Sequence, residues 1–261
     1  MYMADAHTHS HHSPDGFDSM AALCKGALET GLSALYVTDH YDRDGLFDPA
    51  EYRTEFEKAR ASYAGRLAFH LGVELGEGHL THERSKELIN AAPFDFILGS
   101  CHYIEGKDDF YELHIDDVAR GRRLILDYLD ELTRMITWGM FDVLGHFTYP
   151  LRYMRGRDGL DVDFQFCEDR VRDVFSALAG SGKGLEVNVS GLRRGEFFMP
   201  DLPLLKLYRA CGGEIVTVGS DAHHADHVGA YVRDGYELLH AAGFSHASVY
   251  RMRQVEFFNI A

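Results

Sequence analysis

Histidine and carboxylate residues gather in short motifs that recur along this chain. The stretch "DAHTHSHHSPDG" begins at Asp5 and sets His7, His9, His11 and His12 within six positions, with Asp15 close behind. Further on, "VTDH" ends in His40, "GVE" in Glu74, "GSCH" in His102 and "LGH" in His146, and "GSDAHH" supplies Asp221 and His223. Imidazole nitrogen mixed with carboxylate oxygen suits zinc, iron or manganese and matches calcium or magnesium poorly. On an extended strand the middle residue of an H-x-H or D-x-H pair turns away, so the two outer residues point the same way and can converge on neighbouring metals.

Each residue taken singly has an ordinary explanation. A lone strand-end histidine is more often a hydrogen-bonded loop residue than a ligand, Glu74 alone could cap a helix, and Asp221 alone could open a turn. The set has a stronger reading: His7, His9, His40, Glu74, His102, His146, Asp221 and His223 hold two or three divalent transition-metal ions (zinc, iron or manganese). His70, His79, His82, His114, His240 and His246 fall away from strand ends and are read as ordinary. His11, His12, His224 and His227 are read as neighbours of ligands.

Such residues must be delivered by strands that end on one side of the molecule. Apolar runs suited to strands lie at 2–6, 33–38, 67–74, 94–100, 141–146, 184–189 and 214–220. Amphipathic segments lie between them, with apolar residues recurring at three and four, as in Leu124, Leu129, Leu132 and Met135. A last helix is expected over about 226–242 and a last short strand near 246–250. The alternation predicts a parallel sheet wrapped by helices, and seven repeats favour closure into a distorted (β/α)7 barrel, one domain spanning 1–261. Six of the seven strands end in a metal-type residue, and in a parallel barrel those ends share the face where active sites sit. The unpatterned stretches 101–116 and 147–161 are expected to be loops on that face.

Composition narrows the function further. With 261 residues, 46% of them hydrophobic, the chain can bury one large core. A formal net charge of −15 repels nucleic-acid backbones and anionic lipid, so neither nucleic acid nor membrane is expected as a partner. Cys24, Cys101, Cys167 and Cys211 form no CxxC pair, as in a reducing compartment, and no signal or membrane-spanning segment is visible, so the expected location is cytoplasmic. Nothing in the pattern specifies an oligomeric state.

From "DAHTH" through "TDH", "GVE", "GSCHYI" and "LGH" to "GSDAHH", the whole chain resembles the polymerase-and-histidinol-phosphatase (PHP) superfamily. The segment "EVNVSGLRRGEFFMP" is similar to its histidinol-phosphate phosphatase branch. The resemblance implies a TIM-like barrel with a trinuclear metal site at its C-terminal face. It implies one metal on His7, His9, Glu74 and Asp221, and a second bridged by Glu74 and held by His102 and His146. A third would take His40, His223 and a ligand from the first loop. Many relatives carry a histidine six residues beyond the second His of the first motif; here that residue is Asp15, with His12 as a competitor.

The activity so implied is metal-dependent hydrolysis of a small phosphomonoester, L-histidinol phosphate foremost, by a hydroxide bridging the metals, with Glu74, Asp221 and His223 catalytic. Arg193, Arg194 and His224 are the expected substrate- and phosphate-binding residues, with Arg152, Arg155 and Arg157 as rivals. Asp5 and Asp39 are expected to hydrogen-bond imidazole N–H groups. The acidic loop 105–117, through Asp108 or Glu112, could meet the cationic amine. Amidohydrolase barrels also open with H-x-H, but commonly bridge their metals through a lysine at the end of strand four. None of the six lysines here ends a strand, which favours phosphate over amide hydrolysis. The alternatives are a broader phosphoesterase acting on nucleotides or other small esters, and a metal-binding accessory barrel without catalysis.

Overall fold

The computed structural model describes residues 2–43 and 45–260. In chain order the elements are β1 (Ala4–Asp5), α1 (Met20–Glu29), β2 (Ala34–Val37), β3 (His40–Tyr41), α2 (Pro49–Tyr63), β4 (Ala68–Gly76), α3 (His82–Ala91), β5 (Phe96–Ser100) and α4 (Val118–Trp138). They continue with β6 (Val143–Leu144), α5 (Tyr149–Met154), α6 (Glu168–Gly180), β7 (Gly184–Asn188), α7 (Leu202–Ala210), β8 (Val216–Gly219), α8 (Val232–Ala241), β9 (His246–Arg251) and β10 (Gln254–Asn259). Local chemistry sets several helix starts. Asp48 and Asp117 accept the first free backbone N–H groups of α2 and α4 on their carboxylates, and Pro49 opens α2 where no donor is needed.

The strands pair in parallel in the order β1-β2-β4-β5-β6-β7-β8, and β3 adds to β4 beyond the end of β2. Backbone bonds carry the circle on from β8 to β1: Ala6 N–H donates to the Val218 carbonyl (2.9 Å) and Asp221 N–H to the His7 carbonyl (2.8 Å). The expected seven-stranded parallel barrel is therefore present and nearly closed. Alternation along each strand divides two cores. Leu35, Val37, Leu71, Val73, Ile97, Leu185 and Val187 pack outward under the helices, while Ala4, Ala34, Tyr36, Phe96, Leu98 and Val143 fill the barrel itself.

Three local expectations differ. The final strand is half of an antiparallel hairpin, β9–β10, whose Tyr250 enters the barrel core from below. The stretch 147–161 holds the short helix α5. The expected helix over 226–242 splits, with a 3-10 turn at Ala225–His227 ahead of α8, because Gly229 and Tyr231 take left-handed conformations (φ 74° and 60°) that a helix does not tolerate. Among the described residues, no helix is long and apolar enough to cross a membrane.

Candidate metal centre

Glu74 is the hub. It sits on the inward-facing side of β4, fully buried, where Phe69, Leu71, Val73 and Leu75 face the helices. Its Oε2 lies 3.4 Å from His7 Nε2, 3.6 Å from His9 Nε2 and 2.8 Å from His40 Nδ1. Its Oε1 lies 2.9 Å from His146 Nε2 and 3.4 Å from His102 Nε2, and accepts the Ser100 hydroxyl (2.6 Å). Asp221 Oδ1 stands 3.8 Å from His7 Nε2 and 3.5 Å from His9 Nε2. Asp15 lies 3.0 Å from His223 Nε2 and 3.7 Å from His40 Nε2. All nine residues expected as ligands thus meet on the C-terminal side of the strands. Seven fall in the overlapping groups His7–His9–Glu74, Glu74–His102–His146 and His9–His40–His223. Asp221 and Asp15 stand alongside, and Asp42 joins His40 and His102 in a further group.

Hydrogen bonds behind the rings decide which nitrogen faces the centre. The buried carboxylate of Glu186, on β7, accepts His7 Nδ1–H (2.7 Å) and the His146 backbone N–H (2.7 Å). Ser13 donates its hydroxyl to Asp39 (2.7 Å), so its oxygen takes the proton of His9 Nδ1 (3.1 Å). In the neutral rings that a metal requires, both Nε2 atoms would be lone pairs turned toward carboxylate oxygens. His7 Nε2, His9 Nε2, His40 Nδ1, His223 Nε2 and Glu74 Oε2 are buried with no hydrogen-bond partner. His7 Nε2 and His9 Nε2 lie 3.4–3.8 Å from the Glu74 and Asp221 oxygens, too far for a good hydrogen bond, and a cation between them would satisfy both sides. The donor chemistry therefore fits divalent metal.

Without a cation between them, the buried carboxylates are balanced in part by imidazole protons, on His7, His40 and His102. Burial by itself would raise the Glu74 carboxyl, but the His40 and His7 imidazoles and the hydrogen bonds from His102 and His146 hold it well below the usual range. Asp221 is likewise well below, burial being outweighed by His7, His9 and Arg152. Burial together with His223 and His40 keeps His9 well below its ordinary value and so neutral. His7 is driven the other way: burial disfavours its charge, but Glu186, Glu74 and Asp221 raise it. Two of these residues also sit on strained backbone, His146 at φ 21° and Asp221 at φ 53°, where a non-glycine residue stays only if its surroundings hold it.

A cavity of about 420 Å³ opens over this cluster. Arg152, on α5, lines it and bonds Asp221 Oδ2 (3.2 Å) and the Ser190 hydroxyl, while its buried Nε–H has no partner. Across from it stand Asp109 and Tyr149, whose hydroxyl donates to Asp109 (3.3 Å). Of the expected phosphate binders, none lines the cavity. Arg193 spends its guanidinium on the backbone carbonyls of Ser220 and Asp221 (2.9 Å to the latter), Arg194 is exposed, and His224 stacks on Phe17 (4.2 Å) outside the opening. Their place is taken by the rival Arg152, because one turn of α5 points it inward from a stretch read as loop. In the acidic loop the residue at the cavity is Asp109, beside the exposed Asp108 and Glu112.

Asp5 does not reach an imidazole ring. It accepts the backbone N–H groups of Ser220 (2.8 Å) and Gly229 (2.9 Å), tying β1 to the loop after β8. Asp39 reaches His9 only through Ser13, and it fastens the first loop by accepting from Ser10 as well. His12 is turned away from the centre to Glu55 (2.9 Å). Two supporting residues escaped the sequence reading. Glu186 is a charged residue inside the apolar run "GLEVNV", a signal that was there to use. Glu77, fully buried and pushed up to about 8 by burial, accepts the backbone N–H groups of His102 and Tyr103. Gly219 leaves the space in which Glu186 meets His7, since a side chain there would strike both.

A parallel barrel with imidazoles and carboxylates converging at its C-terminal rim belongs to the metal-site class of α/β barrels. The PHP domain family model matches residues 5–190, and the chain belongs to that family, the one its motifs resemble. It is 27% identical to the histidinol-phosphatase of Lactococcus lactis subsp. lactis over 270 residues, covering 98% of this chain and 97% of that protein. It is 26% identical to the probable histidinol-phosphatase of Thermotoga maritima over 253 residues, covering 95% of each. Among solved structures, the histidinol phosphate phosphatase of Lactococcus lactis, complexed with zinc, L-histidinol and phosphate, superposes with a TM-score of 0.85 at 23% identity, covering 97% of this chain and 98% of that one. The histidinol phosphatase-like protein of Listeria monocytogenes gives 0.76 at 17% identity, covering 88% and 99%.

Proposed function

We propose that this protein is a metal-dependent phosphomonoesterase whose substrate is L-histidinol phosphate. The observation that carries the reading is the sharing of Glu74: one oxygen faces His102 and His146, the other His7, His9 and His40, with the partly buried Arg152 paired to the neighbouring Asp221. Two or three divalent ions of zinc, iron or manganese type held there would neutralise phosphoryl oxygens and lower the pKa of a water toward about 7. His7, His9, Glu74 and Asp221 form one ligand set, Glu74, His102 and His146 the second, and Asp15, His40 and His223 the third.

The chain's own residues orient the ester. Arg152 offers its unpaired Nε–H to a phosphoryl oxygen, and Asp221 and Ser190 hold that guanidinium in place. Asp109 supplies the anion for the substrate's amine, and Tyr149 and Tyr153 supply rings for its imidazole to pack against. Asp15 and His223 stand at the same opening, so the attacked phosphorus would lie between them and Arg152. The histidinol-phosphatase names of the full-length relatives agree with this assignment.

The test is phosphate release by metal-replete protein from L-histidinol phosphate, a mononucleotide and a short 3′-phosphorylated oligonucleotide. A kcat/KM at least about 10²-fold higher for histidinol phosphate is expected, the size of effect a buried ion pair to the amine supplies. Equal values across the panel would point to the broader phosphoesterase, and inertness toward all three to a metal-binding barrel without catalysis.

A further inference from the structure

The opening motif carries two more histidines than the centre uses. His11 Nε2 and His12 Nε2 both turn outward to one carboxylate oxygen, Glu55 Oε2 on α2, at 3.0 and 2.9 Å. The two rings lie 4.7 Å apart, and the three donor atoms are all within 4.8 Å of one another. The other oxygen of Glu55 accepts the backbone N–H of Met20 at the start of α1 (3.0 Å), which fixes the carboxylate plane. His12 is held in turn by the edge of Tyr52, its ring 5.2 Å away, and more loosely by Phe47 at 6.4 Å.

We propose that His11, His12 and Glu55 form a separate binding site for a zinc-type divalent cation on the outer flank of the first loop. Two neutral imidazoles and a carboxylate are a three-ligand zinc set, with the fourth position left to water on the exposed side of His11. Tetrahedral bonds of about 2.0–2.1 Å place donor atoms roughly 3.3 Å apart, so the observed N–O separations need to open by only a few tenths of an ångström. The long, half-exposed side chains of His11 and Glu55 can give that much. The site shares no residue with the centre built on Glu74, and a cation in it would staple the loop that carries Asp15 to α1 and α2. It does not depend on what reaction the centre performs.

The test counts metal. Wild type, His11→Ala and Glu55→Gln are stripped, dialysed against the same buffered free zinc, and measured by elemental analysis, with circular dichroism as a check on folding. Both variants are expected to bind one equivalent fewer than wild type. Cobalt-loaded wild type should show a visible absorption component that His11→Ala lacks. Because His11 is surface-exposed, its variant decides the matter even if Glu55→Gln unfolds. An unchanged count in His11→Ala overturns the proposal, and so does a loss of more than one equivalent, since the site would then not be separate. Phosphate release at saturating metal should be unchanged in His11→Ala; this readout stands apart from the count, so inactivity of every protein would sink the proposed reaction and leave the cation site standing.

Discussion

The two ends of the barrel use similar residues to opposite effect. At the lower end, charged groups find partners within the chain. Asp142 accepts the Ile97 N–H (2.8 Å) and pairs with the Arg253 guanidinium (2.9 Å), and Asp95 accepts from Leu71 (3.1 Å) and Met252 (2.9 Å) and faces His70 (3.4 Å). Tyr36 donates its hydroxyl to the Tyr250 carbonyl and accepts the Tyr250 N–H, both at 2.7 Å. At the upper end, His7 Nε2, His9 Nε2 and Glu74 Oε2 are buried without a hydrogen-bond partner. One end is satisfied largely by its own bonds; the other gathers imidazole and carboxylate groups close enough to hold a cation. The lesson is that clustered unpartnered imidazole and carboxylate atoms, rather than single hydroxyls such as Ser248 Oγ, mark the working end.

The contrast can be broken by substitution. Glu74→Gln should remove metal and activity together, lowering kcat/KM on the order of 10³-fold, equivalent to losing about 4 kcal/mol of transition-state stabilisation. Full activity with a reduced metal count would end the assignment of Glu74 as the shared ligand. Arg152→Met should lower kcat/KM about 10²-fold with metal content intact, as removal of one preorganised donor does. Glu186→Gln acts one step back, on the proton of His7, and should weaken metal binding by about 10–100-fold in a chelator competition, with the rate restored by excess metal.

At the lower end the readout changes from activity to stability. Arg253→Met leaves the Asp142 carboxylate short of a partner and should cost about 1–2 kcal/mol in urea unfolding, discounted because the arginine is partly in water, with kcat unchanged. A fall in kcat would show that the two ends are coupled. The smallest effect concerns acid. Burial would raise the Asp95 carboxyl, but His70 and the Met252 and Leu71 N–H groups outweigh it and hold the carboxyl below its ordinary 3.8. A depressed pKa contributes stability above 3.8, which is lost as pH falls through the folded-state value. Asp95→Asn should therefore flatten the acid limb of a stability-versus-pH curve below about pH 4; an unchanged limb would show that Asp95 does not contribute to it.

The sequence by itself determined the strand–helix alternation, the parallel barrel and the nine residues at the centre. Each strand-end ligand is a local fact, a polar residue finishing an apolar run, and parallel connection through helices brings all such ends to one face. What only the tertiary structure decided was which residues point into the cavity from segments without periodicity. Arg152 rather than Arg193 or Arg194 lines the cavity because the direction of the short helix α5 depends on packing, and Asp109 rather than Asp108 or Glu112 does so for a like reason. The hairpin that closes the lower end, the hydrogen-bond chain from His9 through Ser13 to Asp39, and the outward turn of His12 to Glu55 depend on contacts between residues distant in the chain. Spacing along a sequence records periodic structure, whereas the aim of a loop side chain is set by whatever packs against it.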